Sequence, residues 1–268
     1  MSEHATTDLE GRYAQLATIQ SEIDAAPLLS PTVEKLGDGC NLMIEFSDNP
    51  PMLVKVVSLW RNEETKYKGI RYARRDGNCF YRSVVFGMHE SLLNNKERAG
   101  AHLERITDLS RQVVADYGNF AEDFCHPAVE MAKKIESGEC STVEQLYELS
   151  TNGEAEYALY FYRYAVSHHI RTHENDFLPF VVGMGHETVS EFCSAEVDAV
   201  ASEADNVQVV AFAQCFDVRV IVEYVDGREG DCTTRHTFQQ KDSHDANEYT
   251  TIEVTLLYRP GHYDLLYK

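Results

Sequence analysis

Apolar residues recur at helical spacing near the start of the chain: Leu9, Tyr13, Leu16, Ile19 and Ile23, with Glu10, Arg12, Gln15 and Glu22 between them. The pattern predicts one amphipathic helix ending around Ala25-Ala26-Pro27. Its stripe must face either its own domain or a partner. Pro31 to Cys40 reads as a short helix or loop closed by Gly37 and Gly39. Asn49-Pro50-Pro51 has the form of a helix start, a capping residue followed by prolines in the first turn. Met52, Val56, Leu59 and Trp60 continue it, although the β-branched residues in Val54 to Val57 also suit a strand.

Tyr67 to Arg74 is strand-like. Helical patterns follow through Phe80, Val84, Met88 and Leu92, and through Leu103, Ile106, Leu109 and Val113. Further helices are predicted over Phe124 to Ile135, Val143 to Leu149, Glu154 to His173 and the acidic stretch Thr188 to Ala204. Asp205 is placed to cap a helix containing Val207, Val210, Ala211 and Phe212. Strands are expected at Val218 to Val225, at Thr237-Phe238, over Thr251 to Tyr258, and from His262 to Tyr267 after an Arg259-Pro260-Gly261 turn. Helices fill the middle and strands cluster late, which predicts an α+β fold with a small, largely antiparallel sheet. No Pro/Gly/Ser linker divides the chain. The expected organisation is an N-terminal arm over residues 1–45 and one main domain over 46–268.

Composition narrows the function. A net charge of −20 over 268 residues argues against nucleic acid as a partner, because phosphate neutralisation needs clustered Lys and Arg. The same charge keeps the protein soluble and can steer a basic protein partner. Seven cysteines, without a CxxC pair or zinc-finger spacing, argue against a disulfide framework and for a reducing compartment. No metal or cofactor is expected. The acidic, polar start has no signal-peptide pattern. The apolar stretch Val207 to Val225 is broken by Gln208, Gln214, Asp217 and Arg219 and cannot span a bilayer. The expected location is the cytoplasm, with the nucleus as a second compartment.

One cysteine stands in a distinctive context. In Asp76-Gly77-Asn78-Cys79-Phe80 a glycine turn feeds a predicted helix, so Cys79 falls at the helix N-terminus. Free N–H groups and the helix dipole there favour a thiolate, and the same donors can hold the oxyanion of a tetrahedral intermediate. Asn78 is a good capping residue. By itself this context is weak, since most cysteines are small buried hydrophobes. A thiol nucleophile also needs an imidazole and an acceptor that orients it. Of 11 histidines, His262 has Asp264 two residues on. In a strand such residues share a face, roughly 6–7 Å apart along the chain. The carboxylate can then accept the Nδ1–H and leave Nε2 for the thiol. The alternative is an ordinary polar face at the end of a last strand. His168-His169 and His173, on an aromatic helix, suit a structural or exposed position better than a metal site.

Arg75-Asp76-Gly77-Asn78-Cys79-Phe80-Tyr81-Arg82 resembles the nucleophile motif of the ovarian-tumour (OTU) class of cysteine proteases. Tyr258-Arg259-Pro260-Gly261-His262-Tyr263-Asp264-Leu265-Leu266-Tyr267-Lys268 resembles the C-terminal histidine motif of one branch, the otubains. Val218 to Thr234, and Glu191 through Gln214, are similar to the same branch. The resemblance implies a papain-like α+β fold and hydrolysis of isopeptide bonds after the C-terminal glycine of ubiquitin, with polyubiquitin of the 48 linkage type as the favoured substrate. It implies Cys79 as nucleophile, His262 as general base and acid, Asp264 as orienter, and Asp76 as the residue shaping the oxyanion loop. It implies ubiquitin, polyubiquitin and ubiquitin-conjugating enzymes as partners, with the N-terminal helix as a surface for the second ubiquitin. Arg75 departs from the family, which places a proline there. A non-catalytic binder of ubiquitin-charged conjugating enzymes is the competing reading, and a different thiol acyl-transfer enzyme is a third. A narrow channel suited to Gly-Gly favours ubiquitin over the third.

Overall fold

The computed structural model describes residues 15, 17–93, 95–239 and 252–268. Residues 17–25 are helical, with Ile19 exposed and Ile23 half-buried. Leu9, Tyr13 and Leu16 of the predicted stripe lie outside the described residues. Among the described residues six strands form one sheet: β1 (Glu34–Lys35), β2 (Gly69–Arg71), β3 (Val218–Tyr224), β4 (Thr234–Phe238), β5 (Ile252–Arg259) and β6 (His262–Tyr267). Their spatial order is β1-β2-β6-β5-β3-β4. Every neighbouring pair is antiparallel except β3–β5. The α+β architecture with a largely antiparallel sheet is therefore the observed one. β1 falls where a short helix or loop was expected. Part of the segment expected as an arm over 1–45 is incorporated in the sheet, and Leu29, Leu36 and Leu42 are buried.

Two helices cover one face: α1 (Asn41–Glu45) and α2 (Pro50–Arg61). The Asn49 side chain accepts from the Met52 amide at 3.4 Å, and the prolines sit where missing N–H groups cost nothing. This settles Val54 to Val57 as helix. Val56 and Leu59 pack there with Tyr67, Ile70, Leu257 and Leu266. The larger helical layer lies on the other face: α3 (Cys79–Leu92), α4 (Lys96–Tyr117), α5 (Glu122–Ser137), α6 (Val143–Ser150), α7 (Gly153–Thr172), α8 (Glu174–Gly183), α9 (Val189–Phe192) and α10 (Asn206–Phe216). Asp205 and Gln208 form a capping box at the start of α10.

Gly87 sets how α3 meets the sheet. A β-carbon on Gly87 would stand 2.8 Å from both Leu265 Cδ1 and Val254 Cγ1. The missing side chain lets α3 lie directly on β5 and β6, which brings its first residue, Cys79, beside the start of β6.

The helical layer encloses an acid-sensitive pair. His89 and His102 are fully buried with ring centroids 5.5 Å apart. His89 Nε2 meets the Tyr162 hydroxyl at 3.1 Å, while both ring nitrogens of His102 have no partner among the described residues. Burial lowers His89 to about 4 and His102 well below its ordinary 6.5. The unfolded chain binds these protons more readily, so stability must fall as pH drops below about 6.5. The slope is about 1.4 kcal/mol per pH unit per histidine. Urea unfolding at pH 7.0 and 5.5 should show this loss, and the double variant His89→Gln/His102→Gln should flatten it. An unchanged slope in that variant would assign the acid sensitivity elsewhere.

Candidate active site

Cys79 opens α3 and is 2% exposed. Its Sγ accepts the Tyr263 amide at 3.4 Å. That amide lies between His262 and Asp264, so the fold brings all three predicted residues to the start of β6. His262 Nε2 meets Asp264 Oδ1 at 2.9 Å. The nitrogen is opposite to the one expected. The distal nitrogen of the ring bridges the i, i+2 spacing better than the proximal one. His262 Nδ1 is left as a buried atom with no hydrogen-bond partner among the described residues. With Nε2–H donated to the carboxylate, Nδ1 is the ring nitrogen left to accept a proton.

Burial pushes the Cys79 thiol up to about 11. The amides of Tyr263 and Phe80 work the other way, and the charges of Asp264 and Asp76 add to the rise. The resting sulfur is therefore a thiol that must lose its proton before it attacks. Asp264 is wholly buried. Burial alone would raise its carboxyl, but Arg259, His262 and the Ala73 amide together hold it below the usual range. The Ala73 amide donates to Oδ1 at 2.9 Å and Arg259 Nη2 donates to Oδ2.

Asp76 shapes the loop before Cys79. Its Oδ1 accepts the Asn78 amide at 3.0 Å, and both its oxygens pair with the Arg82 guanidinium at 2.8 Å. Gly77 has φ +77°, and a β-carbon there would stand 2.0 Å from the Ala201 carbonyl oxygen. Only glycine satisfies both the left-handed backbone and the close approach. Asn78 does not cap α3 with its side chain, contrary to expectation. Its Oδ1 instead accepts from Arg163 Nη2 at 2.9 Å. A cleft of about 570 Å³ runs past Cys79, walled by Tyr224, Tyr258 and Tyr263 and rimmed by Glu196, Glu203, Asp205 and Asp226.

A family model described as Peptidase C65 Otubain matches residues 21–268. The chain belongs to the otubain family. It is 32% identical to the ubiquitin thioesterase otubain-like of Caenorhabditis elegans over 260 residues, covering 95% of this chain and 86% of that protein. It is 30% identical to the human ubiquitin thioesterase OTUB1 over 263 residues, covering 97% and 90%. A solved structure of h/ceOTUB1 with ubiquitin aldehyde and UBC13~Ub matches with a TM-score of 0.79 at 30% identity, covering 97% and 98% of the two chains. The otubain (OTU) fold expected from the motifs is the fold of this chain.

Three site residues of this otubain escaped the sequence reading. Arg259 pairs with Asp264 and, through Nη1, with Glu45 of α1, whose other oxygen takes Arg75 Nη2 at 2.6 Å. Arg259 stands directly opposite His262 across the β5–β6 hairpin, and this pairing is its sequence signal. Glu45 and Arg163 carry no such signal, since their partners lie far along the chain. Among the described residues no disulfide forms, and Cys232 is the exposed cysteine. No helix of the described residues is long and apolar enough to cross a membrane.

Proposed function

We propose that this chain is a deubiquitinase that hydrolyses the isopeptide bond after the C-terminal glycine of ubiquitin, with chains of the 48 linkage type preferred. Cys79 is the nucleophile, His262 Nδ1 the base that takes its proton, Asp264 the carboxylate that fixes the ring, and Asp76 the residue that shapes the oxyanion loop. The observation that carries this reading is the Cys79 sulfur on the Tyr263 amide, between a histidine and a carboxylate already hydrogen-bonded to each other. In the reaction the thiolate attacks the carbonyl carbon and the charge moves to oxygen. The Asn78 amide is committed to Asp76, so the donor for that oxyanion is the Cys79 amide at the first helical position, where no acceptor lies one turn back. The imidazolium then protonates the leaving lysine amine, and water hydrolyses the thioester.

The cleft also suits a glycine-ended tail. A β-carbon on Gly261 would stand 2.9 Å from Glu203 Oε1, so the mouth is narrow where these residues line it. Ubiquitin-conjugating enzymes are the second class of partner, as in the OTUB1 complexes that this fold matches. A cytoplasmic location fits the free cysteines.

The test is a panel of differently linked diubiquitins incubated with the full chain and with a chain lacking residues 1–25. The 48-linked dimer should be cut fastest. The truncation should slow that cut by at least about tenfold while changing reaction with a single C-terminally electrophilic ubiquitin by less than about threefold, because the N-terminal helix orients the second ubiquitin. No cleavage of any dimer would reject the hydrolase reading and favour the binder. Equal loss on both substrates would reject the helix as a ubiquitin surface.

A further inference from the structure

Three buried arginines contact the catalytic loop or the histidine–carboxylate pair. Arg82 is neutralised by Asp76 and Glu156, and Arg259 by Asp264 and Glu45. Arg163, projecting from the middle of α7 and 1% exposed, has no carboxylate within ion-pair distance among the described residues. Its guanidinium donates only to neutral oxygens: Asn78 Oδ1 at 2.9 and 3.2 Å, the carbonyls of Gly77 at 3.0 Å and Ser202 at 2.8 Å, and that of Val197 at 3.2 Å. Its carbon lies 4.5 Å above the Tyr81 ring. A fully buried guanidinium stays protonated, and one left without a counter-ion is costly unless its donors are well satisfied.

We propose that Arg163 is a positioning residue for the reaction, a charged clamp that fixes the loop before the nucleophile and keeps an unneutralised positive charge behind it. This rests on the deubiquitinase reading above. The clamp works on both sides of Asn78. Arg163 holds the Gly77 carbonyl and the Asn78 side chain while Asp76 takes the Asn78 amide, so the two residues before the Cys79 amide are anchored on both sides. The same guanidinium gathers the carbonyls of Val197 and Ser202, and the Ala201 amide reaches Asn78 Oδ1 at 3.4 Å. The 197–202 segment, which leads to Glu203 on the cleft rim, is thereby tied to the catalytic loop. The free charge favours both negative species of the reaction, the thiolate and the oxyanion, and opposes the fields of Asp76 and Asp264.

Two substitutions separate the clamp from the charge. Asn78→Asp keeps the acceptor for Arg163 and supplies its missing counter-ion. This variant should melt no lower than the parent, and the pH profile of iodoacetamide alkylation at Cys79, read by peptide mass spectrometry, should move up by about one pH unit. Its kcat on diubiquitin should fall at least about tenfold with KM within about twofold. Arg163→Lys keeps the charge and loses the fork. It should leave the alkylation profile near that of the parent while lowering kcat at least about tenfold, because a single ammonium cannot hold four oxygens in place. A parental alkylation profile in Asn78→Asp would overturn the electrostatic role, and a parental kcat in Arg163→Lys would overturn the clamp. The alkylation needs no ubiquitin, so it judges this proposal even if the parent cleaves no diubiquitin, an outcome that would count against the deubiquitinase reading alone.

Discussion

Cys79→Ala should fold as the parent does and lose diubiquitin cleavage by at least about 10⁴-fold. The substitution removes one buried sulfur at a helix start, where alanine keeps the backbone and leaves only a small void. The chemistry has no substitute, since among the described residues Cys79 is the thiol that meets the amide between His262 and Asp264. Cys193 and Cys215 are pushed by burial to about 11 and about 12, and their replacement by alanine should leave the rate within about twofold. His262→Ala should be nearly as damaging but should leave a different trace. With the thiol at about 11 and no base, the reactive thiolate fraction rises about tenfold per pH unit below that value. Residual labelling by a ubiquitin probe should climb with that slope. A flat residual profile would mean that another group deprotonates Cys79.

Arg259→Met should combine a stability loss of about 3–5 kcal/mol with a fall in kcat/KM of about 10²-fold or more. It strands the wholly buried Asp264 without its cation. The carboxyl, now held below its usual range, must then rise. A depressed carboxylate contributes stability above its unfolded value and loses it as pH falls through its folded value, so this contribution should vanish in the variant. Its acid limb of activity should also move to higher pH, because a protonated Asp264 no longer fixes the Nε2–H of His262. Glu45→Gln, at the exposed end of the same chain of charges, should cost less than about threefold. Urea titrations and kcat/KM profiles from pH 5 to 8 check these outcomes. A parental acid limb in Arg259→Met would remove Arg259 from the positioning of the pair.

The parts of this site that were legible in the sequence are those fixed by local rules. A glycine turn before a helix put Cys79 at a helix start and the period of a strand put His262 and Asp264 on one face, and the resemblance of the two motifs to one family joined them into a site. Asn49-Pro50-Pro51 and Asp205 marked helix starts because capping needs only neighbours. What escaped was set over long separations. Arg163 and Asn78 are 85 residues apart, and Arg259 and Glu45 are 214. No periodicity links such residues, and a buried arginine looks like a surface one until its acceptors are known.

The same long-range contacts explain a failed helix. Thr188 to Ala204 was expected to be continuous, yet α9 ends at Phe192, gives way to a wider π-type turn over Cys193–Val197, and then leaves helix altogether. Arg163 takes the carbonyls of Val197 and Ser202, and Asp198 is drawn to Arg171 and Tyr117. The helix Glu174–Gly183 was not anticipated, and Pro179 within it obscures the pattern. The choice of imidazole nitrogen also lay beyond the spacing argument, since it depends on ring reach and not on which face a residue occupies.

The most direct test of the account is the site of covalent attack. The full chain is reacted with a ubiquitin bearing a C-terminal electrophile, and the product is weighed and digested for peptide mapping. The account predicts one adduct per chain, carried on Cys79, absent in Cys79→Ala and strongly slowed in His262→Ala. An adduct on the exposed Cys232, or one that persists at full rate without Cys79, would contradict it.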